Sequence, residues 1–348
     1  MEKKINPVRK KFSNGVKAIG LISGGLDSTI AVSLILEQAI EVEAVNFVTV
    51  FCTCTSKGST CMASQKAADQ LNVPLKVIDI SEEYLEVIKK PKYGYGRGMN
   101  PCLDCRIFTL KKAKEYMEQT GASFIFTGEV LGQRPMSQRR QAMDIIERDS
   151  GLRGYLVRPL SAKFFPPTVP EEKGLLDRNK LLAISGRSRK PQILMAEKFS
   201  IKDYPCSGGG CLLTVKDFAK RMRDLMEHNP DFNLADANLL KYGRHFRVSP
   251  RVKLVVGRNE SENYKIAALK RQDDILFHAQ EPLGPVSLLR GASEGEFIGE
   301  AAAITARYAL GIGNDGEAKI RYFGISGEED KYLNARPFED AKLNRWMV

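Results

Sequence analysis

The first half of the chain alternates between two hydrophobic rhythms. In VKAIGLI (16–22), VEAVNFVTV (42–50), LKVIDI (75–80) and SFIFTG (123–128) most residues are apolar or β-branched, as in strands buried on both faces. Between them, residues 27–38, 62–71, a stretch from about Glu82 and a longer amphipathic stretch around 106–119 follow a helical period. Strand and helix in alternation predict parallel βαβ units, hence an α/β fold with a doubly wound parallel sheet and helices on both faces. Ligands of such sheets bind beyond the carboxyl ends of the strands, so the turn after the first strand is the first candidate site.

The rhythm changes after a helix expected over 215–227. HNPDFN (228–233) reads as a linker, and short strands and turns dominate the remaining hundred or so residues. The expected organisation is a basic tail at 1–16, an α/β domain at 17–225, a linker at 226–239 and a C-terminal α+β domain at 240–348.

In the turn, Ser23, Gly24, Gly25, Leu26, Asp27 and Ser28 follow a strand and open a helix. Free backbone N–H groups and the positive end of the helix dipole converge there, which makes a phosphate cradle. The glycines admit an anion to the backbone, Ser23, Ser28 and Thr29 add hydroxyls, and Asp27 is suited to hold Mg²⁺ or to cap the helix. A Walker loop would need a Lys before the hydroxyl, and none is present.

Composition adds a partner. With 53 Lys and Arg against 42 Asp and Glu the net charge is +11, which favours a polyanion such as nucleic acid. No run approaches the length of a membrane span, and the basic N-terminus lacks the apolar stretch of a secretory signal, so a cytoplasmic protein without membrane contact is expected. Seven cysteines then suggest reduced thiols, metal ligation or catalysis rather than a disulfide framework.

SGGLDS (23–28) resembles the SGGxDS signature of the PP-loop ATP pyrophosphatases, an adenine nucleotide alpha hydrolase-like family that adenylates a substrate carbonyl oxygen and releases pyrophosphate. FTGEVLGQRPMSQ (126–138) with VRPLSAK (157–163) is similar to segments of tRNA 4-thiouridine synthases. GGCLLTVKDFAKRM (209–222) has the spacing of the second catalytic cysteine region of tRNA 2-thiouridylases, with Cys211 on that cysteine. The resemblance covers about residues 17–225 and implies that ATP is held by Ser23 to Thr29 with Gly128 and Gln133. Read on its own, the loop carrying Gly128, Glu129, Gln133, Ser137 and Gln138 ends a strand and turns polar side chains toward ATP or a target base.

NPCLDCRIF sets Cys102 and Cys105 at CxxC spacing entering a helix, where the dipole is expected to lower thiol pKa. Such a pair suits a soft metal or redox chemistry. Three cysteines from two segments suit a 4Fe-4S cluster with one iron lacking a protein ligand; persulfide chemistry and zinc are the alternatives. Likeness to tRNA thiolases with CxxC and one distant cysteine assigns Cys102, Cys105 and Cys211 as ligands and catalytic residues alongside Asp27, with Cys206 a rival for the third position. Cys52, Cys54 and Cys61 form a second group of undecided role.

For RNA, PKYGYGRGMN (91–100) is Gly-rich and expected to be flexible, with Tyr93, Tyr95 and Arg97 suited to stack on a base or touch phosphate. Arg139, Arg187, Arg189 and Lys190 add charge. Residues 253–291 resemble the RNA-binding domain of NFACT proteins and offer Arg258, Asn259, His278 and Arg290. GIGNDG (311–316) fits a dinucleotide motif by letters, but a strand-like stretch comes after it, so it is discounted.

These readings together imply an ATP-dependent tRNA sulfurtransferase using ATP, Mg²⁺ and a 4Fe-4S cluster, with tRNA and an external sulfur donor as partners. The TGE-x-LGQ likeness favours 4-thiouridine. The rivals are a PP-loop enzyme of a small metabolite and an RNA quality-control factor with a vestigial nucleotide site. The sequence leaves open the target uridine, the sulfur donor and the oligomeric state.

Overall fold

The computed structural model describes residues 15–53, 62–202, 204, 210–293, 295–312, 316–323 and 330–348. The chain divides into two compact units, Met1–Cys211 and Leu212–Val348. Cys54, Cys61 and Cys206, and residues 313–315 of the GIGNDG stretch, lie outside the described residues.

The first unit is built on strands β1 (Lys17–Leu21), β2 (Glu41–Val48), β3 (Leu75–Asp79), β4 (Phe124–Thr127) and β5 (Leu156–Val157). All pairings are parallel, in the order β3-β2-β1-β4-β5. The helices are α1 (Leu26–Leu36), α2 (Met62–Leu71), α3 (Ser81–Lys89), α4 (Cys102–Thr120), α5 (Arg140–Asp149), α6 (Val169–Glu172) and α7 (Lys190–Lys198). This is the expected doubly wound α/β sheet. Chain order runs outward from β1 through β2 to β3, then jumps back to β4, so the crevice between β1 and β4 is the topological switch point. Nine of the eleven residues of α1 are buried, which explains why it is apolar nearly all round.

Helix α4 begins at Cys102, earlier than its amphipathic period indicates, and stops at Gly121, whose φ of 67° ends it in the left-handed conformation. The CxxC pair therefore forms the first helical turn, and the Cys105 N–H donates to the Pro101 carbonyl at 2.8 Å.

The second unit opens with α8 (Lys216–His228), so the helix expected at 215–227 belongs here. The stretch read as a linker contains α9 (Leu234–Leu239), capped by Asn233, with Asp236 buried. Strands β6 (Arg244–Arg247), β7 (Lys253–Val256), β8 (Ile275–Glu281), β9 (Val286–Arg290), β10 (Ala318–Phe323) and β11 (Lys331–Ala335) form an antiparallel sheet ordered β11-β10-β8-β9-β7-β6. With it go α10 (Glu260–Ala268), α11 (Ile298–Arg307) and α12 (Asp340–Trp346). Ala301, Ala302 and Ile304 of α11 bury against Phe277 and Leu289 of the sheet, giving the α+β layer expected of the C-terminal part.

Candidate active site

The turn after β1 and the loop after β4 meet at the switch point. A Cβ on Gly128 would lie 2.4 Å from the Ser28 nitrogen, and one on Gly24, which has φ +76°, would lie 2.3 Å from the Ala63 carbonyl carbon. Both glycines are there because backbone passes backbone. Leu26 is 1 % exposed and anchors the turn in the core, while Ser23 is exposed and Asp27 half-buried.

The hydroxyls are less available than the sequence suggests. Ser28 Oγ and Thr29 Oγ1 both donate to the Gly25 carbonyl, at 2.8 and 3.1 Å, and the Ser23 N–H donates to Ser28 Oγ at 3.3 Å. They brace the turn and leave the backbone as its main donor.

Asp27 is oriented from the other loop. Gln133 Nε2 donates to Asp27 Oδ2 at 2.7 Å, and Gln192 Nε2, on α7, donates to Gln133 Oε1 at 3.1 Å. Asp27 Oδ1 is buried with no hydrogen-bond partner. A buried carboxylate oxygen left unpaired is costly, and a cation or ligand donor would satisfy it, so the chemistry of this oxygen fits Mg²⁺.

Glu129 lies between the loop after β4 and the helix that carries the cysteines. It is 5 % exposed and pairs with Arg106 at 2.9 Å and Arg158 at 3.3 Å. Arg158 reaches on to Glu147 at 2.7 Å. Burial alone would raise the Glu129 carboxyl, but the two guanidiniums outweigh it and hold it below the usual carboxylate range. Since Arg106 comes directly after Cys105, this network fixes α4 against the loop after β4. Gln138, also expected to face a ligand, is buried and accepts from the Arg134 N–H at 3.0 Å; Ser137 is buried beside it.

The thiols converge on Tyr84, which is 2 % exposed. Its hydroxyl is hydrogen-bonded to Cys105 and feels Cys211 and Cys102, and Cys105 in turn feels Cys52. The expected lowering of thiol pKa by the helix dipole is overturned. Burial pushes Cys102 up, and Cys105 beside it adds to this against Arg134. Burial also pushes Cys105 up, with Tyr84, Arg106 and Thr109 opposing but not reversing the rise. Among the described residues no three His, Cys, Asp or Glu side chains gather into a group that could hold a metal ion. The donor type suits a soft metal, and Cys206 lies outside the description.

The 91–100 loop is pinned rather than loose. Asp104, between the two cysteines, accepts the Lys92 and Tyr93 N–H groups at 2.9 and 3.0 Å. Tyr93 donates to Asp149 at 2.6 Å, and Tyr95 to the Ile88 carbonyl at 2.5 Å. Tyr95, Arg97, Arg139, Arg187 and Lys190 are exposed; Arg189 is half-buried, with its Nε lacking a partner. In the second unit the candidates are engaged internally. Arg258 pairs with Glu262, Asn259 caps α10, and His278 Nδ1 meets Gln280 Nε2 at 2.9 Å. Arg290 spans Asp236 and Asp274, at 2.9 and 2.7 Å. Gln192, Asp104, Arg106, Arg158 and Tyr84 were not singled out by the sequence; only contact across the fold reveals them.

Residues 16–148 match the family model described as the tRNA methyl transferase HUP domain, and residues 243–347 that of the NFACT protein RNA binding domain. Among curated relatives, the tRNA-specific 2-thiouridylase MnmA of Syntrophotalea carbinolica is 32% identical over 31% of this chain and 32% of its own length. That of Leptospira biflexa is 28% identical over 66% and 61%. A solved structure, the U34-tRNA thiolase NcsA from Methanococcus maripaludis, aligns at 18% identity over 67% of this chain and 72% of that one, with a TM-score of 0.34. The chain spans about a third of the length of the first curated relatives it matches. In chain order, the two stretches are thus similar to a tRNA methyl transferase HUP domain and to an NFACT protein RNA binding domain.

Proposed function

We propose that this protein is an ATP-dependent tRNA sulfurtransferase that adenylates a uridine carbonyl oxygen and replaces it with sulfur. One observation carries the reading. Beyond the carboxyl ends of one parallel sheet, a phosphate-cradling turn with an unsatisfied Asp27 oxygen is tied through Glu129 and Arg106 to a helix that opens with paired cysteines. The similarity to tRNA 2-thiouridylases and the NFACT-type module support RNA as the substrate.

In this reading the backbone N–H groups of Gly24 to Ser28 bind the ATP phosphates. Asp27 Oδ1 would hold Mg²⁺, which would supply charge neutralisation for the phosphates, while Gln133 and Gln192 fix the carboxylate. The uridine oxygen bonds to the α-phosphorus and pyrophosphate leaves. Sulfur from an external donor then bonds to the activated carbon as its C–O bond breaks and AMP departs. The exposed cations Arg97, Arg139, Arg187 and Lys190, the half-buried Arg189 and the NFACT-type module hold the tRNA. Cys102 and Cys105, with Cys211 or Cys206 as the third, would be the protein ligands of a 4Fe-4S cluster, which would supply iron chemistry for sulfur there, although the described thiols do not by themselves gather into such a site.

The test is nucleoside mass spectrometry of unmodified tRNA incubated anaerobically with iron-reconstituted protein, ATP, Mg²⁺ and sulfide. Thiouridine that disappears without ATP, or with Cys105→Ala, supports the reading. Fragmentation distinguishes position 4, favoured by the TGE-x-LGQ likeness, from position 2, favoured by the 2-thiouridylase relatives. Pyrophosphate release indifferent to tRNA would replace it with a small-metabolite enzyme. Iron and sulfide analysis of the same preparation tests the cluster separately.

A further inference from the structure

Cys52 and Cys211 stand opposite each other as an antiparallel bridge, and the Thr53 N–H donates to the Gly210 carbonyl at 3.0 Å. A hydrogen bond between the residue after one partner and the residue before the other identifies the narrow, non-hydrogen-bonded type of pair. Its Cα atoms approach to about 4.5 Å and its side chains leave the same face together. That separation lies within the range of about 4.4–6.8 Å spanned by disulfides. The Cys52 sulfur is also held in position, accepting from the Thr49 N–H at 3.3 Å. Both cysteines are partly exposed, within reach of a small oxidant.

The geometry points to Cys52 and Cys211 as a redox-active dithiol that closes into a cross-strand disulfide without backbone movement. A low-molecular-weight disulfide is the oxidant. The thiolate of one cysteine attacks it, forming a mixed disulfide and expelling one small thiol. The second cysteine then attacks the protein-side sulfur, forming the Cys52–Cys211 bond and expelling the other small thiol. The protein loses two electrons and two protons, and the small disulfide is reduced to two thiols. Oxidation withdraws Cys211 from Cys102 and Cys105 and from the sulfur chemistry. That consequence rests on the proposed function; the disulfide itself does not.

The test uses the full chain, reduced, stripped of metal with a chelator and exposed to oxidised glutathione without ATP or RNA. The protein is then alkylated, digested without reduction and fragmented to locate each linked sulfur. The expected product links Cys52 to Cys211 with the loss of two hydrogens. In Cys52→Ser that link is lost and Cys211 is recovered alkylated or glutathionylated; Cys211→Ser gives the mirror result, and far-ultraviolet circular dichroism checks the fold of both. A dominant Cys105–Cys211 or Cys102–Cys105 link, or Cys52 recovered alkylated from oxidised wild-type protein, overturns the assignment. Because no thiolation is measured, failure of the proposed function leaves this result standing, and the reverse.

Discussion

Gln133 Nε2 donates to Asp27 Oδ2 at 2.7 Å, joining two residues 106 positions apart in sequence. The amide leaves the other carboxylate oxygen buried and without a partner, and Gln192 holds the amide in turn. Asp27→Asn is expected to lower ATP-dependent pyrophosphate release by about a hundredfold or more, the scale of losing one preorganised electrostatic group. Gln192→Leu, one contact further away, should cost less. Assaying both over a range of ATP and Mg²⁺ concentrations checks the order; equal losses would deny the relay.

Gly24 and Gly128 are places where backbone meets backbone. Alanine at either site forces a Cβ against main-chain atoms that cannot rotate away, 2.3 and 2.4 Å distant. Each substitution should destabilise the first unit by about 1–3 kcal/mol, as overpacking does, and abolish ATP binding. Denaturant titration and equilibrium dialysis with ATP measure the two effects.

Glu129 gives the first unit a pH signature. Its folded carboxyl lies below the ordinary range because Arg106 and Arg158 outweigh its burial. The stabilisation is therefore complete above the unfolded carboxylate pKa and is lost as pH falls through the lower, folded value. Glu129→Gln should cost about 3–5 kcal/mol near neutral pH, because Arg106 loses its carboxylate partner and the buried Arg158 keeps only Glu147. The gap in melting temperature between wild type and variant should shrink on acidification; a constant gap would refute the assignment.

Two sets of cations should separate on tRNA binding. Arg187→Ala and Lys190→Ala remove exposed charge, so each should reduce the salt-dependence slope of affinity by about one with little change in stability. Arg290→Met instead strands Asp274 and weakens the hold on Asp236, both buried, and should destabilise the second unit by about 3–5 kcal/mol. Filter binding at several salt concentrations, with thermal melts of the same samples, distinguishes the two.

The sheet and the strand–turn–helix at its centre were legible because their signals are local: apolar strand, paired glycines and helix start are contiguous from Lys17 to Leu36. The second unit's strands were legible as a change of rhythm, but the capped helix at Leu234–Leu239 was hidden inside residues that read as a linker. The thiol pKa was misjudged because helix position is visible in sequence, whereas the burial that raises Cys102 and Cys105 is not. Gln192 and the pairing of Cys52 with Cys211 could not be read at all. Each depends on an approach between distant segments that no spacing encodes.

Among the described residues both sheets are open, and open edges invite a foreign strand. In the first unit β5 spans only Leu156–Val157, and the opposite edge, β3, carries the exposed residues Lys76 and Asp79. In the second, β11 presents Lys331 and Asn334 outward, and on the far side the Val348 N–H donates to the His245 carbonyl at 3.0 Å, covering part of β6. The consequence is colloidal: a protein 43% hydrophobic presents short, charged or already occupied templates where sheet-to-sheet fibrillation would otherwise nucleate.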